Sequence, residues 1–477
     1  MSPSLTALNA AYQAGQASAS AGGGIPRTGS QTNFRAPFLS PASRPGSSLW
    51  SPPSYSGSAA LGGGPHGGSA AALALPAPPA PAPSTRLPGK LSKEEKPWLQ
   101  RSPPRARTSW WLTFAMMLLG LAGAALLVFF GIQSVDVFKD SELCSVFEDN
   151  FSGSSLDTNT WTREAQLGGF GNAEFQIASP FENNSFIKNN QLYIMPTLTT
   201  DVIPQSQLET GTYTLDPCTE AETNKTACTA SGDGSGNVVN PVMSARINTI
   251  NSFSITYGRV EVRAKLPRGD WLWPAIWMLP VNGTWPVDGE LDIMEGRGNG
   301  PSYGAQGSNY VRSTLQYGPL ASLVKQMYGW YTLKRTSFDQ GFHTYGLEWD
   351  DKWMRFYVDS RVHTTLSLST KNAKEGFWAR AGFPATAQNG SSVQQVENPY
   401  TSINGPFDKP FYLIIDLAVG GTSGWFPDKV GGKPWFDGSL TAMYDFWKAK
   451  DTWWATWPTN EDDRAFRIDS VQMWKKC

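Results

Sequence analysis

The sequence predicts an all-β fold, a two-sheet antiparallel β-sandwich, preceded by one transmembrane helix and a disordered N-terminal tail. Three observations predict it. Apolar and polar residues alternate with period two through the C-terminal part, and Gly, Asn and Pro turns separate these runs. Helical periodicity is absent there, apart from a short segment near Leu440 to Lys448. Upstream stands one charge-free apolar run, Trp110 to Ile132, behind a stretch of quite different composition.

Composition narrows the function classes. The chain has 477 residues, with 39 Lys plus Arg against 40 Asp plus Glu, so no excess basic charge points to a nucleic-acid partner. Charged residues are only 17%, with 20 Trp and 47 Gly, a mixture foreign to coiled coils and helical bundles. Three His, four Cys and no Cys-x-x-Cys pair leave little for a zinc site. No metal and no cofactor are expected.

Residues 1–109 form the first segment. Runs such as Gly62-Gly63-Gly64-Pro65 and the Pro/Ala stretch from Pro76 to Pro83 have no apolar period. Such a chain cannot bury enough surface to offset its conformational entropy, so it is expected to be a disordered cytoplasmic tail. Residues 110–132, WWLTFAMMLLGLAGAALLVFFGI, are long enough to cross a bilayer core and lie too far from the N-terminus for a cleaved signal peptide. They are expected to engage the lipid bilayer as a signal anchor. Lys93, Lys96, Arg101, Arg105 and Arg107 precede the run; Asp136, Asp140, Glu142, Glu148 and Asp149 follow it. Positive flanks stay in the cytoplasm, which predicts a single-pass type II protein of the secretory pathway or plasma membrane. Residues 133–477 then lie outside. The Asn-x-Ser/Thr sites at Asn150, Asn183, Asn224, Asn282 and Asn389 and all four cysteines fall on that side.

Within 133–477, Val260, Val262, Ala264 and Leu266 alternate with Arg259, Glu261, Arg263 and Lys265, a strand with one buried face. Met354, Phe356 and Val358 repeat the pattern, and Asp359-Ser360 suits a tight turn. Phe411 to Val419 is nearly all apolar, as a central strand covered on both faces would be.

The chemistry concentrates at Asp288 to Gly296, DGELDIMEG. On a regular strand Glu290 and Asp292 share a face, and Glu295 falls one residue out of phase. One bulged residue near Ile293-Met294 would return Glu295 to that face. Carboxylates so placed repel one another, and some must take up protons above their usual range. A retaining glycosidase needs such a set, one ionised nucleophile and one protonated acid about 5 Å apart. An exposed acidic edge and a calcium site are the competing readings of the motif alone. The preceding Asp270-Trp271-Leu272-Trp273-Pro274-Ala275-Ile276-Trp277, with Trp285, favours sugar, because indole faces stack on the apolar C–H faces of pyranose rings.

From Tyr257 through Gly296 the sequence resembles glycoside hydrolase family 16, in its laminarinase (endo-β-1,3-glucanase) and β-glucan recognition protein branch. GGFGNAEFQ (168–176), FHTYGLEW (342–349), FYLIIDLAVGG (411–421) and FRIDSVQMW (466–474) resemble further landmarks of that family. The resemblance implies a concanavalin A-like jelly roll with β-glucan lying across one sheet. It implies Glu290 as nucleophile, Glu295 as acid/base and Asp292 as the carboxylate between them. It also implies substrate contacts from Trp273, Trp277, Trp285 and Asn172, and a histidine, His343, near the carboxylates. Asp416 departs from the pattern, which commonly has Asn there. The function so implied is a membrane-anchored retaining enzyme that cleaves β-1,3 or mixed β-1,3/1,4 glucan in cell-wall remodelling. A wall-assembly transglycosidase and a non-catalytic β-glucan receptor are the alternatives.

Four cysteines allow three pairings. Cys218 and Cys228 lie ten apart in a Thr/Gly/Asn-rich insert, which favours a local bridge. The family's neighbouring outer terminal strands imply a second bridge, Cys144 to Cys477. Its loop spans the domain, worth about 5 kcal/mol in the chain-entropy account.

Overall fold

A computed structural model describes residues 89–97, 105–389 and 392–477. Most of the tail expected over 1–109 therefore lies outside the described residues. The chain divides into two compact units, one of them containing the long helix up to Ser134 and the other the residues from Val135 to Cys477.

The helix runs Ala106–Ser134 and buries none of its side chains. At 1.5 Å per residue it is about 43 Å long, more than the ~30 Å of a bilayer's hydrocarbon core. Leu119, Leu127, Phe130 and Ile132 are all more than 60% exposed, a surface that water does not favour. By length and composition this helix can cross a membrane.

Two eight-stranded antiparallel sheets, with smaller sheets of two and three strands beside them, form the second unit. One carries its strands in the order Leu323–Thr332, Tyr310–Leu320, Glu290–Gly296, Leu272–Pro280, Phe411–Val419, Arg246–Asn248, Thr162–Glu164, with Ser254–Ile255 also on Phe411–Val419. It is called the carboxylate sheet below. The second sheet runs Ser360–Ser369, Trp353–Val358, His343–Trp349, Gly258–Lys265, Phe466–Lys476, Gln191–Ile194, Ser185–Lys188, with Leu143–Asp149 added on Phe466–Lys476.

The alternation read from the sequence decides which faces meet. Leu272, Ile276 and Met278 project from one side of their strand, and Leu413, Ile415 and Leu417 from the same side of the neighbouring one. They join Val260, Val262, Ala264, Leu347, Trp349 and Phe356 of the second sheet in one core. Each of these side chains is at most 1% exposed, which contributes about 1.5–3 kcal/mol for each Val, Leu, Ile, Met and Phe. All nine residues of Phe411–Val419 are buried, as its unbroken apolar run requires. The short helix is Ala442–Lys448. Cys144 is bonded to Cys477, closing the two terminal strands of the sandwich, and Cys218 to Cys228. The second bridge pins the hairpin of Thr212–Thr214 and Thr229–Ser231.

Candidate active site

The site is built on the outward face of the carboxylate sheet, opposite the core. Pairing runs Ile276 to Met294 and then Trp277 to Asp292, so Ile293 is the extra residue. The register with the other neighbour breaks at the same place, between Asp292 and Glu295. Ser313 Oγ donates to the Ile293 carbonyl at 2.7 Å and holds the bulge. The added residue turns Glu295 back to the side of Glu290 and Asp292.

Cross-strand pairing then dresses each carboxylate. Glu290 faces Gln316, Asp292 faces Thr314, and Glu295 faces Arg312. Trp285 Nε1 donates to Glu290 Oε2 at 2.6 Å, and Gln316 Nε2 lies 3.4 Å from Oε1. The same amide is 3.3 Å from Asp292 Oδ2, while Gln326 donates to its carbonyl oxygen at 2.8 Å. Glu295 Oε2 takes two donors of Arg312, at 2.8 and 3.1 Å, and the Thr314 hydroxyl at 3.3 Å.

Burial raises Asp292 well above its ordinary range; the charges of Glu290 and Glu295, and the hydrogen bond to Glu290, add to it. Burial also raises Glu290, but the hydrogen bond from Asp292 opposes this, as does that from Trp285. The proton of the pair therefore sits on Asp292, which donates it to Glu290. The outcome is a Glu290 carboxylate held by neutral donors and, beyond the bulge, a second carboxyl group oriented by the Arg312 guanidinium. Chemically the face can supply a nucleophile and a proton-transfer group to one bound molecule.

The tryptophans take different places. Trp285, 44% exposed, covers Glu290. Trp277 Nε1 donates to Asp416 Oδ1 at 2.7 Å, and the Arg246 guanidinium lies 4.6 Å above its ring. Trp273 stacks on Trp425 at 5.0 Å; Trp425 in turn carries the guanidiniums of Arg297 and Arg312 at 4.1 and 4.5 Å. Among the described residues Asn172 gives no hydrogen bond to the three carboxylates. It closes the turn Gly169–Gly171 and donates to Glu174 at 3.1 Å.

His343 is a correction. It stands on the second sheet, opposite Ala264, with Nδ1 2.8 Å from Asp359 and its ring against Phe338. Alternation puts it on the side of Tyr345, Leu347 and Trp349, which faces the core rather than the carboxylates. Among the described residues it gives no hydrogen bond or ion pair to Glu290, Asp292 or Glu295. Of the residues that do, Trp285 was expected, and Arg312, Thr314 and Gln316 were missed. Their period-two spacing in YVRSTLQYGPL was the available signal.

Residues 213–391 match the family model for glycosyl hydrolases family 16. The chain is 38% identical over 378 residues to a β-1,3-glucan-binding protein of Penaeus monodon, covering 75% of this chain and 98% of that protein. It is 32% identical over 288 residues to glucan endo-1,3-beta-glucosidase A1 of Niallia circulans, covering 58% of this chain and 34% of that protein. The laminarinase catalytic domain of Thermotoga maritima aligns with 22% identity and a TM-score of 0.43, over 70% of this chain and 99% of that one. The chain belongs to glycosyl hydrolase family 16.

Proposed function

We propose that the protein is a membrane-anchored, retaining glycosidase acting on β-1,3 or mixed β-1,3/1,4 glucan in cell-wall remodelling. The observation that carries this reading is the bulge at Ile293, which gathers Glu290, Asp292 and Glu295 on one face. Glu290 attacks the anomeric carbon and the glycosidic C–O bond breaks, while Glu295 delivers its proton to the departing oxygen. Glu295 then takes a proton from water, and the hydroxide oxygen displaces Glu290 with a second inversion, so configuration is retained. Asp292 donates its hydrogen bond to Glu290, and Trp285, Trp277 and Trp273 serve as faces for sugar rings. In this reading residues 110–132 anchor the chain with its N-terminus in the cytoplasm and 133–477 outside.

A second reading rests on the relatives named for binding β-1,3-glucan: a receptor without turnover. A third keeps the covalent intermediate and replaces water by a glucan hydroxyl, as a wall-assembly transglycosidase would. Product analysis on laminarin with a labelled oligosaccharide acceptor separates the three. Shorter chains are expected; an elongated acceptor would favour transfer, and bound but unchanged laminarin would favour the receptor. For topology, protease added to sealed microsomes should trim only the N-terminal tail, and digestion of 133–477 in intact vesicles would contradict the orientation.

A further inference from the structure

Asp416 is a buried carboxylate that the mechanism above does not use. It stands on the outward side of Phe411–Val419, paired with Ala275 on one flank and Arg246 on the other. Ala275 is itself paired with Glu295, so Glu295, Ala275 and Asp416 form a row across three strands. At about 4.8 Å per strand, the backbones of the two acids lie roughly 10 Å apart. The residue between them contributes only a methyl group. Trp273 and Trp277 flank that methyl along the strand, since all three side chains share a face. The row is thus a shallow floor with an acid at either end and an indole on either side.

Only one oxygen of Asp416 is committed. Oδ1 accepts from Trp277 Nε1 at 2.7 Å; among the described residues Oδ2 accepts no hydrogen bond. Arg246 does not neutralise Asp416 alone. Its Nε donates to Glu164 at 2.8 Å, and its guanidinium is held between the rings of Phe170 and Trp277. The ionisable groups around Asp416 are Arg246 from its own sheet, Glu164 one strand further, Glu174 from the loop beyond Gly171, and, across Leu272–Pro280, Glu295 past Ala275 and Asp292 past Trp277. Carboxylates outnumber guanidiniums in this set.

We propose that Asp416 is a substrate-contacting, proton-dependent binding residue, whose protonated carboxyl offers Oδ2 to a hydroxyl group of the β-glucan lying over Ala275. The inference rests on the glucan reading above. A sugar ring on this floor removes the remaining 5% of exposure of Asp416, so the bound state favours the neutral form. Burial already pushes its pKa up to about 7, with Glu174 and Glu164 adding to the shift against Arg246 and Trp277. Glucan binding therefore takes up a proton near neutrality, and affinity falls as pH rises through that value.

The test uses the full chain in detergent, with turnover stopped by Glu290→Gln, and laminarihexaose as the probe in calorimetric titration. For Glu290→Gln alone, affinity should fall about tenfold between pH 6 and pH 8, with net proton uptake revealed by buffers of different ionisation enthalpy. Adding Asp416→Asn, an amide that cannot titrate, should abolish that fall and hold the low-pH affinity at both values. The same pH trend in both variants would overturn the inference and leave the glucan reading standing. So would an absence of proton uptake in Glu290→Gln alone, a measurement that does not depend on the second substitution folding. No binding by either variant at either pH would remove the glucan reading and this inference with it.

Discussion

The two sheets handle buried acid in opposite ways. On the second sheet Glu348 is fully buried, and three arginines surround it. Arg259 Nε is 2.9 Å from Oε1, Arg361 binds both oxygens at 2.7 and 2.9 Å, and Arg355 lies 3.7 Å away. On the carboxylate sheet Glu290, Asp292 and Glu295 have, among the described residues, one guanidinium within ion-pair distance, that of Arg312 on Glu295. Both faces are built from the same antiparallel pairing. Where cations are in excess, both oxygens of the acid are taken up by guanidinium donors. Where acids are in excess, a proton must be held, and Asp292 holds it. Charge imbalance, more than burial, separates the two faces.

The sharpest way to break this contrast is to delete one acid from each face. Glu290→Ala should lower kcat on laminarin by about 10⁴-fold or more while leaving the thermal unfolding of the domain near that of the parent. Glu348→Ala should do the reverse. It strands three guanidiniums and should cost about 3–5 kcal/mol of stability, with kcat retained at temperatures where the domain is folded. Loss of turnover in folded Glu348→Ala protein would make the contrast false.

A smaller effect sharpens the account of Asp292. Its folded-state pKa lies above that of the unfolded chain, so the native state binds the extra proton. Stability therefore falls as pH rises from the ordinary carboxylate range towards the raised value. Asp292→Asn removes that slope and should stabilise the domain by about 1–2 kcal/mol at pH 7, at the expense of turnover. Denaturant melts at pH 4 and pH 7 check it; an equal effect at both would deny the shared proton.

The smallest effect concerns Trp285. Its indole N–H lowers the pKa of Glu290. Trp285→Phe keeps a ring face and removes that donor, so the acidic limb of the kcat/KM profile should move to higher pH. The acidic limb staying in place while KM alone rises would make Trp285 a sugar platform only.

How much of this was legible in the sequence follows from what alternation can carry. It placed Val260, Val262 and Ala264 in the core, and it showed Glu295 out of phase, which the bulge at Ile293 resolves. Phase within one strand does not say which strand lies alongside. Arg312, Thr314 and Gln316 sit some twenty residues downstream, and Arg246 and Asp416 reach the site from strands far apart in the chain, by register alone. His343 misled for the converse reason. Its motif resembled a family landmark, but its strand belongs to the other sheet and its side chain to Asp359. Trp425, which supports Trp273 and Arg312, follows a Gly-rich turn with no period to place it.

The central claim is that Glu290 and Glu295 divide the work of one retaining mechanism. Azide rescue tests it most directly, with the full chain and an activated laminaribiosyl substrate. Glu290→Ala should recover turnover with azide and yield the α-glycosyl azide, because azide replaces the missing nucleophile in a single inversion. Glu295→Ala should yield the β-glycosyl azide, because azide intercepts the intermediate still formed on Glu290. The opposite pair of anomers would exchange the two roles, and full turnover of laminarin by both variants without azide would contradict the account.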